Sequence, residues 1–340
     1  MIREVDAASR PAEAPSRPPR VQQVSAAVLV VGPLVALGFA VASLWGRGIS
    51  ALDVVIAVVM YVVTCLGVTI GFHRLLAHRS FRANRALRIV LAVTGTMAVQ
   101  GSALTWVAQH RKHHAHTEQE GDPHSPFRYG TGFWPQLKGL VYAHMGWFFD
   151  SHPSLPERWA PDLLADRDML IVSKTSHIWS AASLAIPFLI GWAATGTLGG
   201  AFLAFLWGGV VRMMVLHHIT WSTNSLCHMF GRQPFQTSDH SSNFAPLALL
   251  SMGESWHNAH HAFPSSARHG VDRGQLDATA GVIRLLERLG WATHVRWPSP
   301  ERLASRRRRS GGDDTGGGED PPGYDPDATN RVEELSCPSP

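Results

Sequence analysis

Residues 21–45 carry no charged side chain and are dense in Val, Leu, Ala and Phe. At about 1.5 Å of rise per helical residue, about 20 such residues cross a hydrocarbon core of about 30 Å. After Arg47 and Asp53 a second uncharged run covers residues 54–72. A third, residues 178–211, is too long for one crossing, and its Gly- and Thr-rich stretch 194–200 reads as a turn that makes it a helical hairpin. Buried helices of water-soluble proteins rarely run uncharged past about 14 residues. The pattern therefore predicts four membrane-spanning helices. A fifth apolar stretch, residues 86–108, contains Arg88, Gln100, Ser102 and Thr105. Making it a span would put its flanks on opposite sides, so it reads as a helix lying at the interface.

The first run is too long for the apolar core of a secretory signal, and no small-residue cleavage motif follows it. Arg3, Arg10, Arg17 and Arg20 precede it, which places that end in the cytoplasm by the positive-inside rule. Two hairpins then return the chain each time. Residues 46–53 and 194–200 are expected outside, and residues 73–173 and 217–340 in the cytoplasm, with both termini there. Residues 1–20 and 303–340 are too polar and too rich in Pro, Gly and Ser to build a core and are expected to be disordered tails around a domain at 21–302. The run Arg306 to Arg309 reads as a solvated basic stop beside an acidic tail. Val282, Leu285, Leu286 and Leu289 follow helical spacing, with Gly290 placed to end that helix.

Composition sharpens this picture in two ways. Charged residues are 16% of the chain, as a membrane protein requires, and the formal charge of +4 is too small to argue for nucleic acid as a partner. Three cysteines, Cys65, Cys227 and Cys337, none in a CxxC pair, exclude a disulfide scaffold and a thiolate zinc module. Against this, 19 of 340 residues are histidine.

Many of those histidines cluster. Box one runs from His73 to His78 (HRLLAH), box two from His110 to His114 (HRKHH), and box three from His257 to His261 (HNAHH). At this histidine content about 0.06 HxxHH patterns are expected by chance, whereas two are present. Positions i, i+3 and i+4 share a helix face, so each HxxHH aims three imidazoles one way. The i, i+5 spacing of His73 and His78 would be weak taken singly, because those positions stand well apart around an α-helix. Imidazole suits zinc, copper, nickel and iron, and one zinc takes about four ligands, so eight box histidines fit two metals better than one. Lys112 and Asn258, inside the boxes, need not be ligands. The other histidines, among them His116, His124, His144, His152, His177, His217, His218, His240, His269 and His294, read as interface or solvated side chains. Trp45, Trp106, Trp192, Trp207 and Trp221 read as interface belts. There is no HExxH, so the common zinc-protease site is absent. A histidine-only pair of redox metals beside a bilayer points to oxygen chemistry on a lipid.

The three boxes between two apolar hairpins resemble the membrane fatty acid desaturases, most closely the acyl-CoA Δ9 (stearoyl-CoA) type. The resemblance covers about residues 24–297 and includes Gly71-Phe72 before box one, Gly121-Asp122-Pro123-His124 after box two, Asn224-Ser225-Leu226-Cys227-His228 after the fourth span, and Gly253-Glu254-Ser255-Trp256 before box three, which runs on into Ala262-Phe263-Pro264. It implies two iron ions, with His228 as a ninth ligand and Asn224 holding a metal-bound water; Cys227 then serves packing. Asp122 and Glu254 are candidates to orient the ligand rings. Two positions depart from the animal acyl-CoA enzymes. Ala108 and Gln109 stand where those carry an Arg-Asp pair, and no fused cytochrome b5 domain is visible.

These observations predict an all-α integral membrane protein of four transmembrane helices, with a cytoplasmic helical cap holding a His-rich two-metal site. The implied reaction is formation of a cis double bond, at Δ9, in a saturated acyl thioester. O2 is the oxidant, and two electrons come from a separate ferredoxin, cytochrome b5-like protein or flavin reductase. The metal ligands are His73, His78, His110, His113, His114, His228, His257, His260 and His261, with Asn224 acting through water. Spans two and four form the tunnel walls, and Arg111 and Lys112 are expected to meet the anionic acyl carrier, CoA or another. The rival readings are a hydroxylase of an alkane, sterol or lipid with the same boxes, a desaturase of glycerolipid-bound chains, and a membrane metal carrier. The carrier would need ligands along the spans, whereas these histidines lie beyond the span ends. The expected location is the plasma (inner) membrane.

Overall fold

The computed structural model describes residues 20–44, 49–150 and 154–308. Expectations for most of both tails, for Trp45 and the adjoining turn, for His152 and for Cys337 fall outside these residues. Four helices are long and apolar enough to cross a membrane, as the charge pattern predicts. The first is α1 (Arg20–Leu44). The second begins as α2 (Ala51–Leu66), capped by the Ser50 hydroxyl, which accepts from the Asp53 N–H at 3.1 Å, and continues without a break as a π-helical segment, Gly67–Ala77. Box one therefore begins inside the second span's own helix.

Between the second and third spans lie α3 (Arg85–Thr96), α4 (Ala103–His116), α5 (Phe133–His144), and the short α6 (Pro156–Trp159), α7 (Pro161–Ala165) and α8 (Arg167–Lys174). The single interfacial helix expected over 86–108 is two helices. Met97 caps the first, Val99 and Gly101 take positive φ, and Ser102 starts the second by accepting from the Thr105 N–H at 3.2 Å. The hairpin of α9 (Ser176–Thr195) and α10 (Leu198–Ala204) turns at Gly196, left-handed at φ 67°, where the sequence places it. A second π-helical segment, Phe205–Val211, leads into α11 (Arg212–Ser225). The rest is α12 (His257–Ala262), α13 (Ala278–Arg288) and α14 (Pro300–Arg306), with a two-stranded antiparallel pair, β1 (Arg82–Ala83) and β2 (Ala292–Thr293).

The four spans are not equivalent. Val24, Val28, Val35 and Phe39 of α1, and Leu189, Ile190 and Trp192 of α9, are exposed apolar side chains, which suits contact with lipid tails. The second and fourth spans are half buried and form the inner pair. Arg212, at the start of α11, is buried among Thr64, Ser183 and the Gly208 carbonyl, so its charge is hydrogen-bonded rather than exposed to hydrocarbon.

The second span is held against α3 by backbone contact. A Cβ on Gly67 would lie 2.2 Å from the Gly95 nitrogen, and one on Gly95 would lie 2.7 Å from the Phe72 ring. This crossing seats Phe72, Leu75 and Leu76 in a core with Leu91, Leu104 and Val107. On α13 the buried face is Thr279, Ala280, Ile283 and Leu286, whereas Leu285 and Leu289 are exposed. That corrects the expected apolar stripe, while Gly290 follows the helix end at φ 73° as expected. The tail boundary expected at 303 is also corrected. Ser299 caps α14, and beyond that helix the Arg308 N–H donates to the Pro234 carbonyl at 2.9 Å, while the Arg306 carbonyl accepts from the Gln236 N–H at 2.8 Å. Backbone hydrogen bonds to the 234–236 strand thus order residues whose composition alone reads as tail.

Candidate metal centre

The three boxes and His228 converge beyond the cores of the spans. Box one ends the π-helical segment, box two is the last turn of α4, box three is α12, and His228 closes a short 3₁₀ turn after α11. Their ring nitrogens form two groups, each with all its atoms within 4.8 Å: His73, His78, His110, His114 and His260 in one, and His113, His228, His257 and His261 in the other. These are the nine histidines singled out in the sequence.

The way each HxxHH is shared corrects the simple picture of three rings aimed one way. In box two, His110 and His114, at i and i+4, join the first group and His113 joins the second. Box three is reciprocal, with His257 and His261 in the second group and His260 in the first. Rings at i and i+4 lie about 40° apart around a helix, while i+3 is rotated about 60° the other way. Two facing helices thus give two centres.

Within the first group the Nε2 atoms of His73 and His260 are 3.1 Å apart, those of His78 and His110 2.7 Å, and those of His114 and His260 2.9 Å. In the second, the Nε2 of His257 lies 3.1 Å from that of His228 and 3.0 Å from that of His261. Ligands about 2.0–2.1 Å from one ion have nitrogens about 3 Å apart, so these separations match. The buried Nε2 of His113 has no hydrogen-bond partner, as a nitrogen reserved for a metal requires.

Four of the outer nitrogens are fixed by carboxylates. Nδ1 of His113 is 3.0 Å from Asp122, that of His228 2.8 Å from Glu118, and that of His261 2.7 Å from Asp239, while His73 pairs with Glu254. Each carboxylate makes its ring carry the proton on Nδ1 and turn the Nε2 lone pair inward, which is the usual support of a histidine–metal bond. Asp122 and Glu254 are the two acids picked out in the sequence; Glu118 and Asp239 are not legible there. Glu118 lies four residues beyond His114, and Asp239 is brought up by a loop.

Burial pushes the His78, His110, His114, His257, His260 and His261 imidazoles down from their ordinary 6.5, and neighbouring rings add to the effect. The shift favours the neutral ring, the form able to donate a lone pair. For His113 burial acts the same way, but Asp122 outweighs it and the net shift is upward.

Arg74, inside box one, is fully buried. It donates to Glu254 at 3.0 Å, to Asp277 at 3.1 Å and to the Ala267 carbonyl at 2.8 Å. Asp277 also caps α13 and accepts from the His269 and Gly270 N–H groups, so one buried ion-pair network ties box one to the 267–280 segment. Arg111 does not serve the role expected of it. Its guanidinium binds Asp162 through two oxygens, at 2.6 and 3.0 Å, and donates to the Leu76, Ala77 and Trp159 carbonyls at 2.7, 3.1 and 3.1 Å. It closes the carbonyl end of the π-helical segment and has no donor to spare for a carrier. Lys112 is half buried beside it.

A cavity reaches this centre. Cys65, Val68 and Thr69 of the second span and Leu216, Ile219 and Thr220 of the fourth form two of its walls, as expected. Asn224 lines it together with His73, His110 and His257. Trp106 and Trp221 also line it, so these two are cavity walls and not interface belts; Trp106 stacks on His110 with centroids 5.0 Å apart. Three isolated histidines are also buried where interface or solvent was expected. His217 is 2.8 Å from the Ala98 carbonyl, while His124 and His269 lie 3.8 Å from Asp122 and Glu254. Cys227 is fully buried, in keeping with packing.

With this geometry in hand, the relatives agree. The profile of the fatty acid desaturase family matches residues 49–297. The chain is 36% identical over 269 residues to a hex-5-enoyl-[acyl-carrier protein] acetylenase of Moorena producens (strain JHB), covering 78% of this chain and 84% of that one. It is 38% identical over 239 residues to an acyl-CoA C20 Delta5-desaturase of Anemone leveillei, covering 68% and 70%. It is 37% identical over 246 residues to an sn-1 stearoyl-lipid 9-desaturase of Anabaena variabilis, covering 71% and 83%. A chain with two converging histidine groups at the end of an apolar cavity, matched by that profile over most of its length, belongs to the fatty acid desaturase family.

Proposed function

We propose that this desaturase removes two hydrogens from adjacent methylenes of a saturated acyl chain, at Δ9, with two iron ions held by the nine histidines and O2 as oxidant. The observation that carries the reading is the meeting of the two histidine groups with the apolar cavity between the second and fourth spans. When bound, the iron pair supplies the oxidising power needed to break an unactivated C–H bond. The chain's own residues do the rest. Trp106, Trp147, Phe148 and Leu216 exclude water and hold the acyl chain, so the reacting carbons are chosen by how far its methyl end reaches. Asn224 holds a water beside the centre. Glu118, Asp122, Asp239 and Glu254 fix the rings of His228, His113, His261 and His73, and burial favours the neutral form of His78, His110, His114, His257, His260 and His261. A separate donor, a ferredoxin, a cytochrome b5-like protein or a flavin reductase, supplies two electrons per turnover. The arginines before the first span support a histidine side in the cytoplasm, with both termini there, and the membrane we propose is the plasma membrane.

A second reading concerns the carrier. Ala108 is buried in the core, Gln109 lines the cavity, and Arg111 is committed to Asp162. Among the described residues no Lys or Arg lines the cavity. This favours an acyl chain on a membrane glycerolipid over one on CoA, whose phosphates call for cations. The stearoyl-lipid substrate and 9-position in the Anabaena relative's name support it.

The test is fatty-acid profiling of a host expressing the wild type or His114→Ala. An olefin that appears with the wild type alone supports the reading, and hydroxylated lipid in its place supports the hydroxylase. Supplying labelled stearoyl-CoA and stearoyl-glycerolipid to purified protein in vesicles decides the carrier.

A further inference from the structure

A second pocket opens to the surface beside the second histidine group, lined by His228, Gly231, Gln233, His240 and Arg308 among others. His240 has 68% of its side chain exposed, yet its Nδ1 lies 2.5 Å from one oxygen of Glu118. The backbone N–H of His240 donates to both oxygens of the same carboxylate, at 2.9 and 3.0 Å. The other oxygen of Glu118 is 2.8 Å from Nδ1 of the buried His228. A solvent-facing imidazole is thus two hydrogen bonds from a ring whose Nε2 converges on the metal position.

The rim around this pocket has the make-up of a docking surface. Phe230, between two pocket residues in the chain, and Tyr129 are exposed aromatics. Arg306, Arg307 and Arg308 are exposed along one edge, with Arg307 paired to Asp272. Aromatic and Arg side chains are enriched in protein interfaces, and a basic edge selects an acidic partner. Glu118, Asp122 and Asp239, the acids in contact with the second histidine group, are already bound to histidine rings.

We infer that this face docks the electron donor, a small acidic one-electron carrier of the [2Fe–2S] ferredoxin type, and that electrons pass through His240 and Glu118 to His228. Electronic coupling decays more slowly through hydrogen bonds and covalent bonds than across a gap, which favours this route. Each turnover takes two single-electron transfers, oxidising two reduced donors. With two hydrogens from the acyl chain and two protons from solvent, those electrons reduce one O2 to two waters. The inference rests on the desaturase reading above.

The test uses the purified full chain, loaded with iron, and a plant-type acidic ferredoxin. Arg308→Glu is expected to weaken ferredoxin binding about tenfold and to flatten its salt dependence, with iron content unchanged. Olefin formation driven by dithionite should match wild type in that variant. His240→Gln should bind ferredoxin as wild type does but oxidise reduced ferredoxin more slowly in stopped flow. Three results overturn the inference: undiminished ferredoxin binding by Arg308→Glu, unchanged ferredoxin oxidation by His240→Gln, or ferredoxin binding kept while binding to phosphatidylglycerol vesicles is lost. If the wild type forms no olefin with either reductant, the desaturase reading fails instead, and the ferredoxin titration still decides whether the docking surface exists.

Discussion

The backbone N–H of His78 donates to the carbonyl of His73 at 3.0 Å, five residues back, and the two rings lie 4.9 Å apart in an edge-to-face arrangement. On an α-helix, positions i and i+5 point about 140° apart; the wider π turn brings them together. The spacing of box one, unpromising by itself, is the spacing a π-helical ligand pair needs. The same segment carries Gly71, whose Cβ would meet the Leu91 carbonyl oxygen at 2.7 Å. Gly71→Ala should therefore push the segment off α3 and destabilise the protein by about 1–3 kcal/mol. Thermal melting in detergent measures this, and a melting point equal to wild type would refute the close crossing.

The reciprocal sharing of boxes two and three predicts that neighbouring histidines serve different ions. His260→Ala and His261→Ala should each lose about one of two metals, and metal-selective spectroscopy should find different survivors. Asn224→Ala should retain most metal and lose turnover. Identical spectra from the two histidine variants would contradict the split.

Glu118→Gln and Asp239→Asn keep size but replace one accepting oxygen with a donor and remove the charge behind His228 and His261. Metal affinity should fall about 10–100-fold in each. Competition with a chelator of known affinity measures it, and full retention in both variants would show that the carboxylates serve packing alone.

Arg111→Ala should lower stability by about 2–3 kcal/mol through loss of charged hydrogen bonds, and lower metal content with it. Arg111→Lys should not restore it, because an ammonium cannot make the forked contacts to Asp162 and three carbonyls. The KM for the acyl carrier, measured on whatever fraction retains metal, should be unchanged. A raised KM with normal metal content would return Arg111 to the carrier site.

The metal-free protein should lose stability as pH falls below 6.5. Burial sets the folded-state values of His78, His110, His114, His257, His260 and His261 below that ordinary value, so the unfolded chain binds more protons there and acid favours unfolding. His113 opposes this in part. Asp122 raises it, so its contribution is present below 6.5 and is lost as pH rises through the raised value. The six outnumber the one, and the melting point of chelator-treated protein should climb between about pH 5 and 7. A flat profile would mean that these rings are not buried neutral.

The number of spans, the hairpin turn within residues 194–200 and the eight box histidines are readable from the chain because each is a local pattern, whereas His228 is singled out only by the resemblance to the desaturases. Membrane spans are set by uninterrupted apolar length, Gly196 by the left-handed geometry it alone tolerates cheaply, and the boxes by helical spacing. The break at Met97–Ser102 was less legible, since an apolar stretch shows where burial is wanted and not where a helix must stop.

What tertiary structure decided is which partners the side chains found. Arg111 reads as a free cation in sequence, and becomes a structural clamp because the Leu76 and Ala77 carbonyls and Asp162 arrive from segments that pattern does not relate to it. Glu118 and Asp239 are ordinary acids until folding sets them against His228 and His261. Composition and periodicity determine what must be buried and which groups could bind a metal. How the ligands divide between two ions, and which acids hold them, depends on angles and distances between distant segments, and those exist only once the chain has packed.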